Sequence, residues 1–159
     1  MKRRVVVIGA GPAGMMAAGK AAERGIDTIL AEKNDRVGKK ILISGKGRCN
    51  ITNNTDIEGL IENIPGNGSF LYSAFYTFSN TDLVEFFNKR GLMTKVERGG
   101  RVFPVSDKSK DVADVLLRYV TGNGARVLLK SPAQEIKAEG GRVKSVLLKN
   151  GDEIKCDSV

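Results

Sequence analysis

The sequence predicts an α/β fold in which a parallel sheet is followed by an antiparallel β-meander, and three observations support this prediction. Residues 5–8 form a short, continuous apolar run, which is typical of a strand buried on both faces of a parallel sheet. A glycine-rich turn follows this run and opens a segment of small, helix-tolerant residues. Further along the chain, two glycine-containing turns, at 140–141 and 150–151, separate three short segments with strand character.

The first element is a β-α-β unit over residues 5–32. Its helix is predicted over 13–24, and Gly25 supplies the stop. A second strand is predicted over 26–31, and Glu32 stands at the carboxyl end of that strand. This order of strand, turn, helix and strand is typical of a Rossmann-like fold.

Residues 36–54 are polar and rich in glycine, and they are predicted as a loop with at most a short strand or helical turn at 41–43. Residues 55–124 are predicted as a segment of helices and one hairpin. Two helices are predicted at 57–64 and 71–78. A third contains residues 83–87, with Asn80 or Thr81 as its N-cap and Gly91 as its stop, and a fourth covers 111–120, with Ser109 as its N-cap. A hairpin is predicted to join 93–97 to 101–105.

Residues 125–159 are predicted as the third parallel strand, at 126–130, followed by the meander at 135–138, 143–149 and 153–159. The chain stops as it enters the last strand, without a polar tail or a capping element. We therefore expect residues 1–159 to be one truncated domain, with a natural terminus as the alternative.

Residue types that the chain lacks restrict its chemistry. It has no histidine, so Ser-His-Asp catalysis and His-ligated metal sites are excluded within it, and no metal site is predicted. Cys49 and Cys156 form no CxxC pair and are interpreted as free thiols in a reducing cytoplasm. No apolar run approaches the ~20 residues of a membrane span, and the run at 5–8 is shorter than the ~7–15 residues of a signal-peptide core. A cytoplasmic protein without membrane contact is expected.

The formal net charge is +8, from 26 basic and 18 acidic residues. A basic surface favours anionic partners such as phosphates or nucleic acid. The charges are scattered, without a run of five or six of one sign, so a solvated basic surface is expected and a nucleic-acid partner is not.

The turn at residues 9–14 reads GAGPAG, and each glycine has a physical task. Gly9 allows the tight turn from strand to helix, Gly11 lets a pyrophosphate approach the backbone, and Gly14 lets the helix pack close to the strands. Pro12 fits the first helical turn, where its missing N–H costs little, and the free N–H groups there face the anion. Gly9, Gly11, Pro12, Ala13 and Gly14 are therefore predicted to bind the diphosphate of a dinucleotide.

Glu32 lies 18 positions after Gly14, close to the expected spacing for a ribose-binding carboxylate. Such a carboxylate accepts hydrogen bonds from both ribose hydroxyls and repels a 2′-phosphate, so NADP is disfavoured at this site. The motif does not separate NAD from FAD. The alternative is a glycine-rich turn without a ligand.

The loop at 36–54 also has features of a binding segment. Its glycines permit close backbone approach, its cations suit a pyrophosphate or a reduced anionic flavin, and its amides and hydroxyls suit a ribityl chain or ring edge. These residues are Gly45 and Gly47; Lys39, Lys40, Lys46 and Arg48; and Ser44, Asn50, Thr52 and Asn53. On composition alone, a solvated basic loop is an equal alternative. Cys49 lacks a resolving partner and an activating histidine, so a packed structural thiol is favoured over a nucleophile.

The string SGKGRCN at 44–50 and the string GRVFP at 100–104 resemble the hallmark motifs of a bacterial flavoprotein family. Its members are known as BaiN-type NAD(P)/FAD-dependent oxidoreductases or as aminoacetone oxidases. The resemblance extends over essentially the whole chain, and many members have glycine where this chain has Lys46.

The resemblance implies a Rossmann-like FAD-binding domain of the glutathione-reductase type. It implies FAD as cofactor, hydride transfer to a small-molecule substrate, and NAD(P)H as a candidate partner. It also implies a considerably longer protein, in which later segments complete the flavin site. The cofactor contacts that it adds to the turn and Glu32 are Lys33, Lys39, Lys40, Ser44, Gly45, Gly47, Arg48, Cys49 and Asn50.

Three functions remain open at this point. The leading one is a flavoprotein oxidoreductase; the others are an inactive dinucleotide-binding fragment and a nucleic-acid-associated or RNA-modifying flavoprotein, which the charge of +8 motivates. The sequence identifies no catalytic residue, substrate or oligomeric state. Glu97 and Asp107 are interpreted as surface residues, and Arg101 as an anion ligand or a member of an ion pair.

Overall fold

The computed structural model describes residues 3–159, which form two compact units. The first unit comprises the chain up to Ile41 together with Leu116–Val159, and the second comprises Leu42–Val115. The first unit contains the predicted β-α-β unit and meander, and the second contains the predicted hairpin.

The parallel sheet of the first unit has the strand order β1-β2-β6. Strand β1 (Arg4–Ile8) pairs with β2 (Asp27–Ala31) along its whole length, and β6 (Arg126–Leu128) pairs with the other edge of β2. The three predicted parallel strands are confirmed. The expectation that the run at 5–8 is buried on both faces holds fully only at Val6, since Val5 and Val7 are half-buried and Ile8 is 43% exposed. Within residues 3–159, the second edge of β1 is paired only near its amino end, where Val5 meets Ser158.

Helix α1 (Pro12–Glu23) follows the turn and ends at Arg24, after which Gly25 takes φ +76°, as the predicted stop requires. The helix packs through a glycine that the sequence pattern did not single out. A Cβ atom on Gly19 would lie 2.2 Å from the ring of Tyr119, whose hydroxyl donates to Glu23 at 3.1 Å. Tyr119 belongs to α6 (Ser109–Gly122), so this contact holds the C-terminal half of α6 against α1.

The meander has the order β7-β8-β9 and is antiparallel, as predicted. Its strands are β7 (Ala133–Glu139), β8 (Arg142–Leu148) and β9 (Glu153–Lys155). Val146 and Leu148 of β8 pack with Val6 and Ile29 of the parallel sheet. The last strand ends at Lys155 rather than continuing to 159, because Asp157 and Ser158 bond to β1 instead: the Asp157 N–H donates to the Arg4 carbonyl at 2.9 Å.

The second unit holds a small antiparallel sheet of order β3-β5-β4. The hairpin of β4 (Thr94–Glu97) and β5 (Arg101–Pro104) is as predicted. Strand β3 (Thr52–Asn53) lies in a segment predicted as loop, because two residues carry no periodic pattern and the strand exists only through its pairing with β5. The helices other than α1 and α6 are α2 (Lys39–Ile43), α3 (Ile57–Glu62), α4 (Tyr72–Thr77) and α5 (Asn80–Asn88).

Two predicted N-caps are wrong. Helix α5 is capped by Ser79, whose hydroxyl accepts from the Asp82 N–H while the Asp82 carboxylate accepts from the Ser79 N–H. This reciprocal capping box satisfies two backbone N–H groups at the start of the helix, whereas a cap at Asn80 or Thr81 alone would satisfy one. Ser109 is the first residue of α6 and not its cap, since its hydroxyl donates to the Leu42 carbonyl at 3.0 Å.

No helix within the described range 3–159 is both long and apolar enough to cross a membrane.

Candidate functional site

The turn at 9–14 is held by backbone bonds and by close packing. The Gly9 N–H donates to the Ala31 carbonyl at 2.7 Å, and Gly9 takes φ +98°, which side-chain-bearing residues rarely adopt. A Cβ atom on Gly14 would lie 1.9 Å from the Gly9 carbonyl oxygen, so helix and turn touch there. The same atom on Gly11 would meet no atom of residues 3–159 within 4 Å. The turn is therefore closely packed at Gly14 and open at Gly11, the position at which the sequence predicts that a pyrophosphate approaches the protein backbone.

The N-terminus of α1 is available to an anion. Its N-cap residue is Gly11, the first helical residue is Pro12, and no side chain among the described residues caps the helix. The first helical bond runs from the Met15 N–H to the Gly11 carbonyl at 2.9 Å. The N–H groups of Ala13 and Gly14 thus point out of the helix end, where the helix dipole favours negative charge.

Glu32 connects the turn to the end of β2. The side chain is buried, and its Oε2 accepts from the Ala10 N–H at 2.7 Å. Its Oε1 accepts from the backbone N–H and the side-chain amide of Asn34, at 2.9 and 2.5 Å. The backbone of Glu32 is fixed by β6 and the residues after it, through bonds with Leu128 and Ser131 at 2.8 Å each. The predicted ribose ligand is thus also a structural member of the turn.

The environment of Glu32 keeps its carboxylate charged. Burial is the largest single influence and raises the pKa, but the hydrogen bonds from Asn34 and Ala10, with the charge of Lys33, together outweigh it and lower the pKa. A carboxylate with a lowered pKa in the folded state stabilises the fold above its ordinary pKa. That contribution is lost as the pH falls through the lowered value.

The cations predicted beside the turn lie at the surface of the first unit. Lys33, Lys39 and Lys40 are all exposed, and the Lys39 amine donates to the Asn34 side-chain oxygen at 3.3 Å. The Gly38 N–H donates to the Ala10 carbonyl at 2.8 Å, which ties the segment before α2 to the turn. Lys39 is therefore held near the Glu32–Asn34 contact, whereas Lys33 and Lys40 extend into solvent.

The loop at 44–50, in the second unit, contains four residues in the left-handed region. Gly45, Lys46, Gly47 and Cys49 have φ of 53°, 56°, 85° and 64°. A Cβ atom on Gly45 would lie 2.9 Å from the Asn50 backbone nitrogen, so the loop closes tightly on itself. The loop contains two side-chain-bearing residues in a conformation that favours glycine, which is a strained arrangement.

Arg48 lies in an ion-pair cluster that we call the Arg48 clamp, composed of Arg48, Lys95, Glu97, Phe103 and Asp107. The Arg48 guanidinium pairs with Glu97 and donates to Asp107 at 2.8 Å, and it lies 4.2 Å from the centre of the Phe103 ring. Lys95 bonds the second oxygen of Asp107 at 2.6 Å. The clamp joins the loop to both strands of the hairpin.

The clamp corrects the interpretation of Glu97 and Asp107 as plain surface residues. They are the partners of Arg48, at separations of 49 and 59 residues, which is why no local pattern indicates them. The hydrogen bond from Arg48 chiefly lowers the pKa of Glu97, and those from Lys95 and Arg48 lower the pKa of Asp107. Asp107 itself has φ +55°, a strained conformation that its two cationic partners hold.

Cys49 is buried next to this clamp in the same loop. Burial raises the pKa of its thiol, and a hydrogen bond with Ser44 opposes that effect only partly. A thiol with a raised pKa is a poor nucleophile, which supports the interpretation of Cys49 as a packed structural residue. Arg101, near by, donates to the Arg98 carbonyl at 3.1 Å.

The chain is similar to proteins that are already known. A family model described as HI0933-like protein Rossmann domain matches residues 3–159. The ribosomal RNA dihydrouridine synthase of Haemophilus influenzae is 26% identical over 161 residues, which cover 97% of this chain and 38% of that protein. The 3-dehydro-bile acid delta(4,6)-reductase of Clostridium scindens is 35% identical over 151 residues, which cover 87% of this chain and 36% of that protein.

A solved structure supports the fold. The 3-ketosteroid-delta4-(5alpha)-dehydrogenase of Rhodococcus jostii superposes with a TM-score of 0.70 at 16% identity, covering 98% of this chain and 44% of that one. The predicted Rossmann-like α/β fold with an antiparallel meander is confirmed. The chain spans a little more than a third of the length of the two curated relatives.

Proposed function

Since the chain belongs to the HI0933-like family of FAD-binding Rossmann domains, we propose that the whole protein is an FAD-dependent oxidoreductase that transfers a hydride between flavin and substrate. The observation that carries the proposal is the 9–14 turn, closed at Gly14, open at Gly11 and tied to Glu32. This arrangement fits the diphosphate and ribose of a dinucleotide.

The residues of the first unit that would hold the ADP half of FAD each have a defined part. The Ala13 and Gly14 N–H groups would bind the diphosphate, and the open space at Gly11 admits it to the backbone. Glu32 Oε2 accepts from one donor among the described residues, the Ala10 N–H, and retains a lone pair that would accept from a ribose hydroxyl. The charge of Glu32 also repels a 2′-phosphate, which favours FAD or NAD over NADP at this turn.

We further propose that the 44–50 loop contacts the flavin, as the family resemblance implies, through Ser44, Gly45, Gly47, Cys49 and Asn50. Lys33, Lys39 and Lys40 are proposed as charge partners of the cofactor. In this proposal Arg48 acts mainly by fixing the loop, since Glu97 and Asp107 engage its charge. When bound, FAD supplies the hydride chemistry, and the protein positions it and excludes competing reactions.

The names of the two relatives suggest a class of reaction. One is a dihydrouridine synthase and the other a delta(4,6)-reductase, and both names describe hydrogen added to a ring double bond. We propose the same class here: hydride to one carbon of a conjugated ring double bond and a proton to the other. NAD(P)H in the cytoplasm is the proposed reductant. An oxidase acting on aminoacetone is the competing reaction that the resemblance implies.

A second candidate function has the same redox chemistry but a different substrate. Sequence alone disfavoured a nucleic-acid partner because the basic residues are scattered along the chain. The likeness to a ribosomal RNA dihydrouridine synthase, together with a net charge of +8, makes RNA a candidate substrate.

The first test is the flavin content of the purified full-length protein. A flavin spectrum, reduction by NADH or NADPH without oxygen, and reoxidation by a cyclic enone support the proposed reductase. Rapid peroxide formation with aminoacetone and oxygen, without turnover of an enone, supports the oxidase instead. A colourless protein that takes up no added FAD overturns both.

A further inference from the structure

The net charge of the chain lies in one of its two units. The first unit contains 17 Lys and Arg residues against nine Asp and Glu, whereas the second contains nine against nine. The excess of eight in the first unit equals the formal net charge of the chain, +8. The summed charge therefore attracts an anionic partner more strongly to the first unit than to the second.

Part of this charge surrounds one groove of the first unit, which we call the basic groove. It lies at the amino end of β1, between the turn that joins β7 to β8 and the segment after β9. Its charged lining consists of five cations, Arg3, Arg4, Arg142, Lys144 and Lys155, and two carboxylates, Asp27 and Asp157.

The two carboxylates of the groove have partners within the fold. Asp27 accepts from the Arg4 guanidinium at 2.6 Å, and Asp157 accepts from the Arg4 backbone N–H at 2.7 Å. In contrast, Arg3, Arg142 and Lys155 have no carboxylate within ion-pair distance anywhere in residues 3–159. These three cations are free to meet an external anion.

The groove is separate from the cofactor turn. The turn follows the carboxyl end of β1, whereas the groove lies at its amino end, five residues away. At ~3.3 Å per residue this separation is roughly 16 Å. An anion in the groove therefore does not compete with the diphosphate that the turn would bind.

We propose that the basic groove docks the phosphodiester backbone of an RNA substrate. The inference rests on the second candidate above, RNA as substrate. A concave lining with unpaired cations fits a single strand of phosphates better than a flat bilayer surface, which is why RNA is preferred to an anionic membrane. The described lining contains no aromatic side chain, so bases are not stacked there. Contacts of this kind fix the position of an RNA without reading its sequence.

The test is the salt dependence of RNA binding by the full-length, FAD-loaded protein, measured as the fluorescence anisotropy of a labelled single-stranded fragment of ribosomal RNA. The variant Arg142→Glu/Lys155→Glu removes two free cations from the groove. Its control is Arg118→Glu/Lys149→Glu, which makes the same charge change at two exposed positions of the first unit outside the groove. Flavin content and melting temperature establish that each variant is folded, and Arg142→Gln/Lys155→Gln replaces the reversal if it fails to fold.

We expect the groove variant to bind RNA at least about 20-fold more weakly at 0.1 M salt, with the slope of log K against log salt reduced by about 1.4. The control should bind nearly as the parent does. Equal binding by groove variant and control overturns the groove but leaves RNA as a substrate candidate. Salt-insensitive or absent RNA binding by an FAD-loaded parent overturns both, while the oxidoreductase proposal stands. Loss of binding to phosphatidylserine vesicles with RNA binding unchanged identifies a membrane surface and also overturns the groove proposal.

Discussion

The chain has two glycine-rich binding segments, and they are held in different ways. The 9–14 turn is fixed by backbone hydrogen bonds and one buried carboxylate from the next strand. The 44–50 loop is fixed by ion pairs that come from residues about fifty positions later and keeps two side-chain-bearing residues in left-handed backbone. A turn held by its own backbone can be recognised from spacing, whereas a loop held by distant side chains cannot.

The sharpest way to separate packing from binding in the turn is to compare Gly14→Ala with Gly11→Ala. The added methyl group at position 14 would lie 1.9 Å from the Gly9 carbonyl oxygen, so the helix must move. We expect Gly14→Ala to lower the free energy of unfolding by about 3 kcal/mol and to abolish FAD retention. Thermal melting and flavin content measure both effects.

Gly11→Ala is the matched control, because its methyl group meets open space in the protein. We expect its stability to stay within about 0.5 kcal/mol of the parent while FAD affinity falls. If Gly14→Ala melts like Gly11→Ala, the close contact described for the turn is wrong.

The next largest effect is expected from Glu32→Gln. The amide loses one acceptor and places a donor against the Ala10 or Asn34 N–H groups. FAD dissociation constants measured by titration should rise about ten- to a hundredfold. Asp35→Asn, an exposed carboxylate three residues later, should leave them unchanged. Equal affinity in the two variants would falsify the assignment of Glu32.

Glu32 also gives the fold a pH dependence. Because its folded-state pKa is lowered, its stabilising effect is complete above the ordinary pKa of a glutamate and disappears as the pH falls through the lowered value. We expect the stability of the parent to fall more steeply than that of Glu32→Gln as the pH drops below about 4.3, the ordinary pKa of a glutamate. Denaturant melts across this range measure the difference, and parallel curves would contradict it.

The Arg48 clamp is expected to matter less than the turn. Glu97→Gln/Asp107→Asn leaves Arg48 without its charge partners and should lower the melting temperature by a few degrees at low salt. The difference from the parent should shrink in 1 M salt, because these side chains are partly exposed and are screened. Glu85→Gln/Asp114→Asn, which breaks two exposed helix pairs, is the control. A salt-independent loss would point to packing instead.

The smallest expected effect is a gain in stability from the substitution Lys46→Gly. Lys46 has φ +56°, and glycine removes that strain at the cost of a more flexible unfolded chain. We expect Lys46→Gly to raise stability by about 0.5–1 kcal/mol. Lys33→Gly, at an exposed position outside the left-handed region, should not. A stability loss at Lys46 would mean that its side chain contributes contacts that outweigh the strain.

The part of the fold that could be predicted is the part with short-range causes. Residues 5–32 were assigned from an apolar run, a glycine turn and a helix stop, each of which acts within a few residues. The Ser79 cap was missed because three adjacent polar residues compete for that position and only the bond to Asp82 decides. The pairing of Thr52–Asn53 with β5 depends on a strand about fifty residues away, which no local pattern encodes.

The candidate site divides in the same way. The turn and Glu32 follow from spacing and charge, because the ribose-binding carboxylate must end the second strand. The partners of Arg48 could not be found from spacing. The sequence assigned the charge of Arg48 to a ligand, whereas the structure pairs it with two carboxylates whose combined charge exceeds its own.

The contact between Gly19 and Tyr119 restricts which residues related proteins can carry at these two positions. A side chain of any size at position 19 collides with the Tyr119 ring, so position 19 cannot gain a side chain while position 119 keeps its aromatic ring. Related chains with alanine or serine at position 19 should carry a smaller residue at position 119, and those with an aromatic ring at 119 should keep glycine at 19. Two positions a hundred residues apart are thus expected to vary together among related chains, although only one of them lies near the dinucleotide turn.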